Sequence, residues 1–408
     1  MPSVTLYFKV HQPYRLHHYE LKDVNVIHSY IDTEATKKAI NVIADECYLP
    51  ANEIIYALLK QYAGKFKIAF SISGVTLEIL DRYRPDVLHS FRKIVKTGNA
   101  EILAETYYNS LSWLHSKPEF ERQVKKHDAI VKRLLGTEPS VFRNTELIYN
   151  NELAVFIAKL GYKGLLCEGS QRILDGRTPN QVYAAPGNGD FGLLLRNVNM
   201  SDDIAFRFDD TNWNEYPLTA EKFAAWIHGH ADGNLNLFLD YETFGIHKKA
   251  STGIFDFLKA LPEHILMDEN YSFSTPSAVL ADHYPVGVYD VPQTISWEDR
   301  SADNCVWCET MEQHNTLRKI YSLCNSVYSG DNESMTETWG KLQSADYFYY
   351  MGKEDTLTKK AKAAGNPYPC NESAYHNYLN ILTDLELSLI RFNLEKYKTG
   401  STYINNLY

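Results

Sequence analysis

Short runs rich in β-branched and aromatic residues alternate with longer stretches of helical periodicity through the first three-quarters of the chain. The short runs predict strands over residues 4–10, 65–73, 100–107, 140–146, 164–168, 191–198 and 235–242. The stretches between them predict helices, among them 36–63, 118–135, 150–160 and 219–228. Strands separated by helices call for a parallel sheet, either open or closed into a barrel. No Gly-rich phosphate loop follows any of the strands, which favours the barrel over a nucleotide-binding sheet.

Beyond residue 292 the texture becomes mostly helical, with periodic segments at 312–328 and 372–397 separated by a polar stretch and a loop rich in Lys, Gly, Asn and Pro. No long Pro/Ser/Gly linker intervenes, so this part reads as a helical unit packed on the barrel. The expected division is a catalytic domain over 1–292 and a C-terminal helical region over 293–408 that completes the active-site cleft.

In a parallel barrel the C-terminal ends of the strands converge on one mouth, so acids far apart in sequence can face one substrate. Glu146, in VFRNTELIYNN, and Asp240, in NLFLDYETFG, each end such a run. Cleavage of a glycosidic bond needs two facing carboxylates, one to attack the anomeric carbon and one to protonate the departing oxygen. Taken singly, either acid could instead cap the helix after its strand. Arg143 lies close to Glu146 in sequence, and a nearby cation keeps a carboxylate ionised, as a nucleophile requires. Phe238, Asp240 and Glu242 share one side by alternation, and two neighbouring acids raise one another's pKa, the property of a general acid. His11 ends the first run before Gln12-Pro13, and Glu105 reaches the end of the third beside Tyr107.

Composition narrows the partners. The 408 residues, 44% of them hydrophobic, can bury a large core. A formal charge of −10 disfavours nucleic acid and anionic membranes. Twenty-nine tyrosines suit the apolar faces and hydroxyl edges of sugars, as well as cores. The N-terminus has no secretory pattern and no run reaches membrane-span length, so the expected location is cytoplasmic, with six reduced cysteines. Cys305 and Cys308 form a C-x-x-C without a second pair, His228 and His230 are two apart, and Asp209, Asp210 and Glu215 lack calcium-loop spacing, so no metal and no cofactor are expected. No G-x-S-x-G elbow offers a serine nucleophile.

Five stretches in order, HQPYRLHHY from His11, GNAEILAETYYNSL from Gly98, FRNTELIYNNELA from Phe142, LFLDYETFG from Leu237 and SWEDRSADNCVW from Ser296, resemble glycoside hydrolase family 57, in particular its α-amylase group. The resemblance implies a distorted (β/α)7 barrel followed by helices and a retaining mechanism without a required metal. It implies Glu146 as nucleophile and Asp240 as acid/base, with His11, Glu105 and Asp303 lining the sugar site and Trp297 and Trp307 as stacking platforms. Tyr107 and Glu242 join them as substrate-binding candidates by their place at strand ends. The group usually has His at Asn109, an acid and an aromatic at Ile246 and Lys249, and Glu-Arg at Ser301-Ala302. The expected activity is hydrolysis of α-1,4 bonds in glycogen, starch or maltodextrin. A 4-α-glucanotransferase using the same residues and a weakly active glucan-binding protein are the alternatives, and a metal-dependent deacetylase or mannosidase would need a His/Asp cluster that the sequence does not show.

Overall fold

A computed structural model describes residues 2–26, 28–230, 233–297, 306–353 and 365–405, with side chains to residue 396. Packing divides the chain into two units: residues 1–12, 37–107 and 124–297 form the first, and 13–36, 108–123 and 298–408 the second. The second unit therefore gathers two segments from the first third of the chain, which a single cut after 292 does not anticipate.

The first unit is built on parallel strands. We label them β1 (Ser3–Val10), β2 (Ile68–Ile72), β3 (Ala100–Ile102), β4 (Phe142–Arg143), β5 (Gly164–Glu168), β6 (Asn188–Arg196) and β7 (Asn234–Asp240). One ladder runs β7-β1-β2-β3 and another β4-β5-β6. Two looser seams close the ring. Ala104 bridges Phe142 in parallel, with Arg143 N–H donating to the Ala104 carbonyl at 2.8 Å. Across the other seam Asn197 N–H reaches the Asn236 carbonyl at 2.9 Å, and the Asn236 amide reaches the Leu195 carbonyl at 2.9 Å. Side chains thus replace part of the ladder there, and the result is a distorted (β/α)7 barrel followed by a helical region.

Every residue of β1 is buried, as expected of a strand covered on both faces. Tyr7, Ala69, Leu103, Val141, Leu147, Leu166, Leu194 and Phe238 pack together inside the ring. On the outer face Phe8 and Phe70 pack against Tyr241 and, for Phe70, against Phe91 on the helix Pro85–Val95. Successive β1 side chains therefore alternate, with Tyr7, Lys9 and His11 inward. The strand Val182–Ala185 pairs antiparallel to β6, and the segment expected as one helix over 36–63 is Thr33–Ile43 and Leu49–Gln61 joined by a π turn, Ala44–Tyr48.

The second unit is helical: Met311–Ser322, Cys324–Gly330, Glu333–Lys341, Ala345–Tyr349 and Asn371–Asn405. Asp384, on the last of these, accepts hydrogen bonds from Tyr30 at 2.6 Å and from the Asn25 backbone at 2.6 Å, fixing the 13–36 segment within the unit. Among the described residues no helix is long and apolar enough to cross a membrane, and no group of three His, Cys, Asp or Glu could hold a metal ion.

Candidate active site

The chain leaves β4 through a 3-10 turn, Thr145–Leu147, in which Glu146 and Leu147 take left-handed φ values of 54° and 51°. Neither is glycine, so this backbone is strained and must be held by its surroundings. What holds it is the strap 291–297, which runs antiparallel beside it. Tyr149 and Ile295 exchange backbone hydrogen bonds at 2.9 Å each, Asn151 N–H reaches the Val291 carbonyl at 3.0 Å, and Trp297 N–H reaches the Glu146 carbonyl at 3.3 Å.

The Glu146 carboxylate is gripped on both oxygens. The Lys9 ammonium contacts Oε1 at 2.5 Å, and the Trp297 indole N–H donates to Oε2 at 2.7 Å. Both donors favour the ionised form. The Trp297 ring lies parallel to Phe206, 4° between planes and 6.4 Å between centroids. Trp297, expected as a stacking platform, thus serves the carboxylate through its edge.

Sequence proximity suggested Arg143 as the cation on Glu146. Lys9 makes an ion-pair contact with Glu146, and the Arg143 guanidinium reaches Glu105 at 3.4 Å. Arg143 still shares a field with Glu105, Glu146, Asp240 and Tyr7, which places these groups in one neighbourhood of the barrel interior. Lys9 is not among the residues the motifs single out, yet it is the one charged residue in an otherwise apolar or hydroxyl-bearing β1 and its inward parity follows from alternation.

Asp240 ends β7 in regular extended geometry, φ −69°, and is half-buried. Its register partner on β1 is Lys9, so the two side chains leave the sheet on the same face. Glu242 does not continue that side. The chain turns at Tyr241–Thr243, and Glu242 is buried, accepting a short hydrogen bond from Tyr48 and one of 3.2 Å from Gln12. Burial, and then the charge of Asp240, push its carboxyl up to about 7.

Glu105 is fully buried, and burial pushes it up to about 7 against the pull of Arg143. His127 supports it: Nε2–H donates to the Ile72 carbonyl at 3.0 Å and Nδ1 accepts from the Glu105 backbone at 3.4 Å. Only the Nε2–H tautomer satisfies both partners, and burial holds this imidazole neutral, down to about 4. His11 is buried, with Nδ1 2.6 Å from the hydroxyl of Ser73, itself at the end of β2. Tyr107 turns to the helix Gly74–Tyr83, where its hydroxyl donates to Glu78 at 2.7 Å and its ring lies so close to Gly74 that a Cβ there would meet it at 2.3 Å.

Two expected sugar contacts fall in the second unit. Trp307 is buried at 1% exposure, its ring 6.0 Å from that of Tyr349, so as folded it offers no open face for stacking. Asp303 lies outside the described residues, as do Ser301 and Ala302. Of the other departures, Asn109 takes φ 48°, a conformation that asparagine tolerates well, and Lys249 pairs with Glu46 at 2.9 Å on the surface.

The profile of "Glycosyl hydrolase family 57" matches residues 5–292. A Methanocaldococcus jannaschii protein named "Putative alpha-amylase" is 36% identical over 395 residues, covering 94% of this chain and 84% of that one. The structure resembles the family 57 branching enzyme of Thermococcus kodakaraensis, with a TM-score of 0.67 at 14% identity, covering 96% of this chain and 91% of that one. It also resembles the 4-alpha-glucanotransferase of Thermococcus litoralis, with a TM-score of 0.66 at 15% identity, covering 85% of this chain and 55% of that one. These two likenesses bear on the fold; sequence carries the family. With the profile matching residues 5–292 and the relative 36% identical over most of both chains, the chain belongs to glycosyl hydrolase family 57, as a glycoside hydrolase.

Proposed function

We propose that the protein is a retaining α-glucan hydrolase that cleaves α-1,4-glucosidic bonds of glycogen, starch or maltodextrin, with Glu146 as nucleophile and Asp240 as acid/base. The observation that carries this reading is the two-donor grip on Glu146, by Lys9 at 2.5 Å and Trp297 at 2.7 Å, which favours its charged form and holds it in place. Asp240, half-buried on the same inner face, has the access to solvent that proton exchange demands.

In the first step a Glu146 oxygen bonds to the anomeric carbon as the bond to the leaving oxygen breaks, and Asp240 gives its proton to that oxygen. In the second, Asp240 takes a proton from water, the water oxygen bonds to the anomeric carbon, and the ester bond to Glu146 breaks. Sugar in place of water at this point would give transfer.

Product analysis on amylose and maltoheptaose tests the reading. Shorter maltooligosaccharides with new reducing ends and retained anomeric configuration are expected. Longer products without new reducing ends would make the protein a transferase, and binding without products would make it a glucan-binding protein.

A further inference from the structure

The barrel interior holds its charges in an order that the two-carboxylate mechanism alone does not explain. Lys9 sits on β1, between β7 and β2, in register with Asp240 on one side and Ser71 on the other. Its side chain is 9% exposed and that of its partner Glu146 is 3% exposed. An ammonium so far out of water needs an anion beside it at every stage of turnover, because a buried unpaired charge is strongly unfavourable.

Esterification removes that anion. When Glu146 bonds to the anomeric carbon its negative charge is consumed, and when Asp240 gives up its proton a negative charge appears there. The charge of the pair is conserved but changes side, and Lys9 lies beside both places. We propose that Lys9 is the shared counter-ion of the two carboxylates, paired with Glu146 before the covalent step and with Asp240 while the glycosyl ester is intact. Trp297 is the complementary positioning residue, holding the plane of the Glu146 carboxyl so that the charge moves and the carboxyl does not.

The chemistry of the side chain fits this task. A lysine is a point charge on a flexible stem with three rotatable donors, able to change partners by small torsional movements, whereas a guanidinium is a fixed fork. One buried guanidinium, Arg143, already engages Glu105 at 3.4 Å. Tyr7, inward on β1 one step below Lys9, is 2.6 Å from the hydroxyl of Ser71 and is pushed up by burial, so it stays neutral. Arg143 and Glu105 both share the field of Glu146, Glu105 also that of Lys9, and Arg143 also those of Asp240 and Tyr7.

This inference rests on the proposed retaining mechanism, and the experiment separates the two. Rapid-quench mass spectrometry of the unsubstituted enzyme with α-maltosyl fluoride should show the glycosyl ester on Glu146. No ester and no products would overturn the mechanism and this inference with it. With that established, Lys9→Met, matched in length and uncharged, should lower kcat roughly 10²-fold. It should also move the acidic limb of the kcat/KM profile up by about one pH unit or more, since the nucleophile loses its cation. Lys9→Arg should return the limb close to its original position, because the charge is restored. Loss of activity with an unmoved limb, or equal loss in Lys9→Met and Lys9→Arg, would reduce Lys9 to packing and overturn the proposal. Trp297→Phe, which keeps the ring against Phe206 and removes the N–H, should lower kcat roughly tenfold with KM little changed. A raised KM at unchanged kcat would make Trp297 a sugar platform and overturn its positioning role.

Discussion

The ends of β4 and β7 carry the two carboxylates proposed as nucleophile and acid/base, and they are held in opposite ways. Glu146 sits on a left-handed turn, almost wholly buried, with a donor on each oxygen and the strap 291–297 along its backbone. Asp240 ends a regular strand and is half-buried. A group that must form a bond to one carbon gains from immobility, because each rotamer it abandons beforehand is entropy not lost in the transition state. A group that must lose and regain a proton needs a path to water and a neutral alternative. Backbone strain is therefore confined to the first and absent from the second.

The largest break in this comparison is Glu146→Gln, which keeps size and hydrogen bonding but cannot form the ester. Turnover of maltooligosaccharides should fall roughly 10⁴-fold or more while binding, measured calorimetrically, persists. Asp240→Asn should cost less, roughly 10²–10⁴-fold on natural substrates. With a leaving group that needs no proton it should still form the ester, and azide should then speed release as glycosyl azide. An Asp240→Asn enzyme that azide cannot accelerate would remove Asp240 from the acid/base role. A crystal structure with bound maltooligosaccharide would sharpen the pair further: carboxyl groups about 5–5.5 Å apart accompany retention, whereas about 6.5–9.5 Å would leave room for an inverting water.

The smallest effect is on stability. Glu105 stands at about 7 in the folded chain against the usual 4.5. The folded state thus holds a proton that the unfolded state has released between those values, and stability contributed by this group declines as pH rises through that window. His127, lowered to about 4, works in the opposite sense, because there the unfolded state holds the extra proton. Glu105→Gln should remove the first contribution alone. Denaturant unfolding between pH 4.5 and 7 should show the variant's stability falling less, or rising more, with pH than that of the unsubstituted protein; parallel curves would show that Glu105 has no such shift.

Much of this arrangement could be read along the chain, and the exceptions have definite causes. The run 164–168 is observed as β5 with the same limits, since a continuous apolar run needs no tertiary information. The expected runs 100–107 and 140–146 extend past the observed strands because regular pairing ends at Ile102 and Arg143, while Tyr107 turns to a helix and Glu146 enters a left-handed turn. Nothing in the residue types Glu and Leu announces φ above zero. The strand Val182–Ala185 was missed, although Pro186-Gly187, with Gly187 at φ 73°, marks the hairpin that joins it to β6. Lys9 was legible from alternation alone. The interleaving of the two units was not, because it depends on pairings remote in sequence.

The strap has a bearing on how this barrel can be handled as a module. The family match ends at residue 292, but Trp297, which hydrogen-bonds to Glu146, and Ile295, which pairs with Tyr149 just past the turn, follow that limit. A fragment trimmed to the matched span would retain both acids and Lys9 while losing the brace that opposes relaxation of the left-handed turn. Recombining such barrels between relatives therefore calls for a junction beyond residue 297, so that Glu146 and its clasp are inherited together.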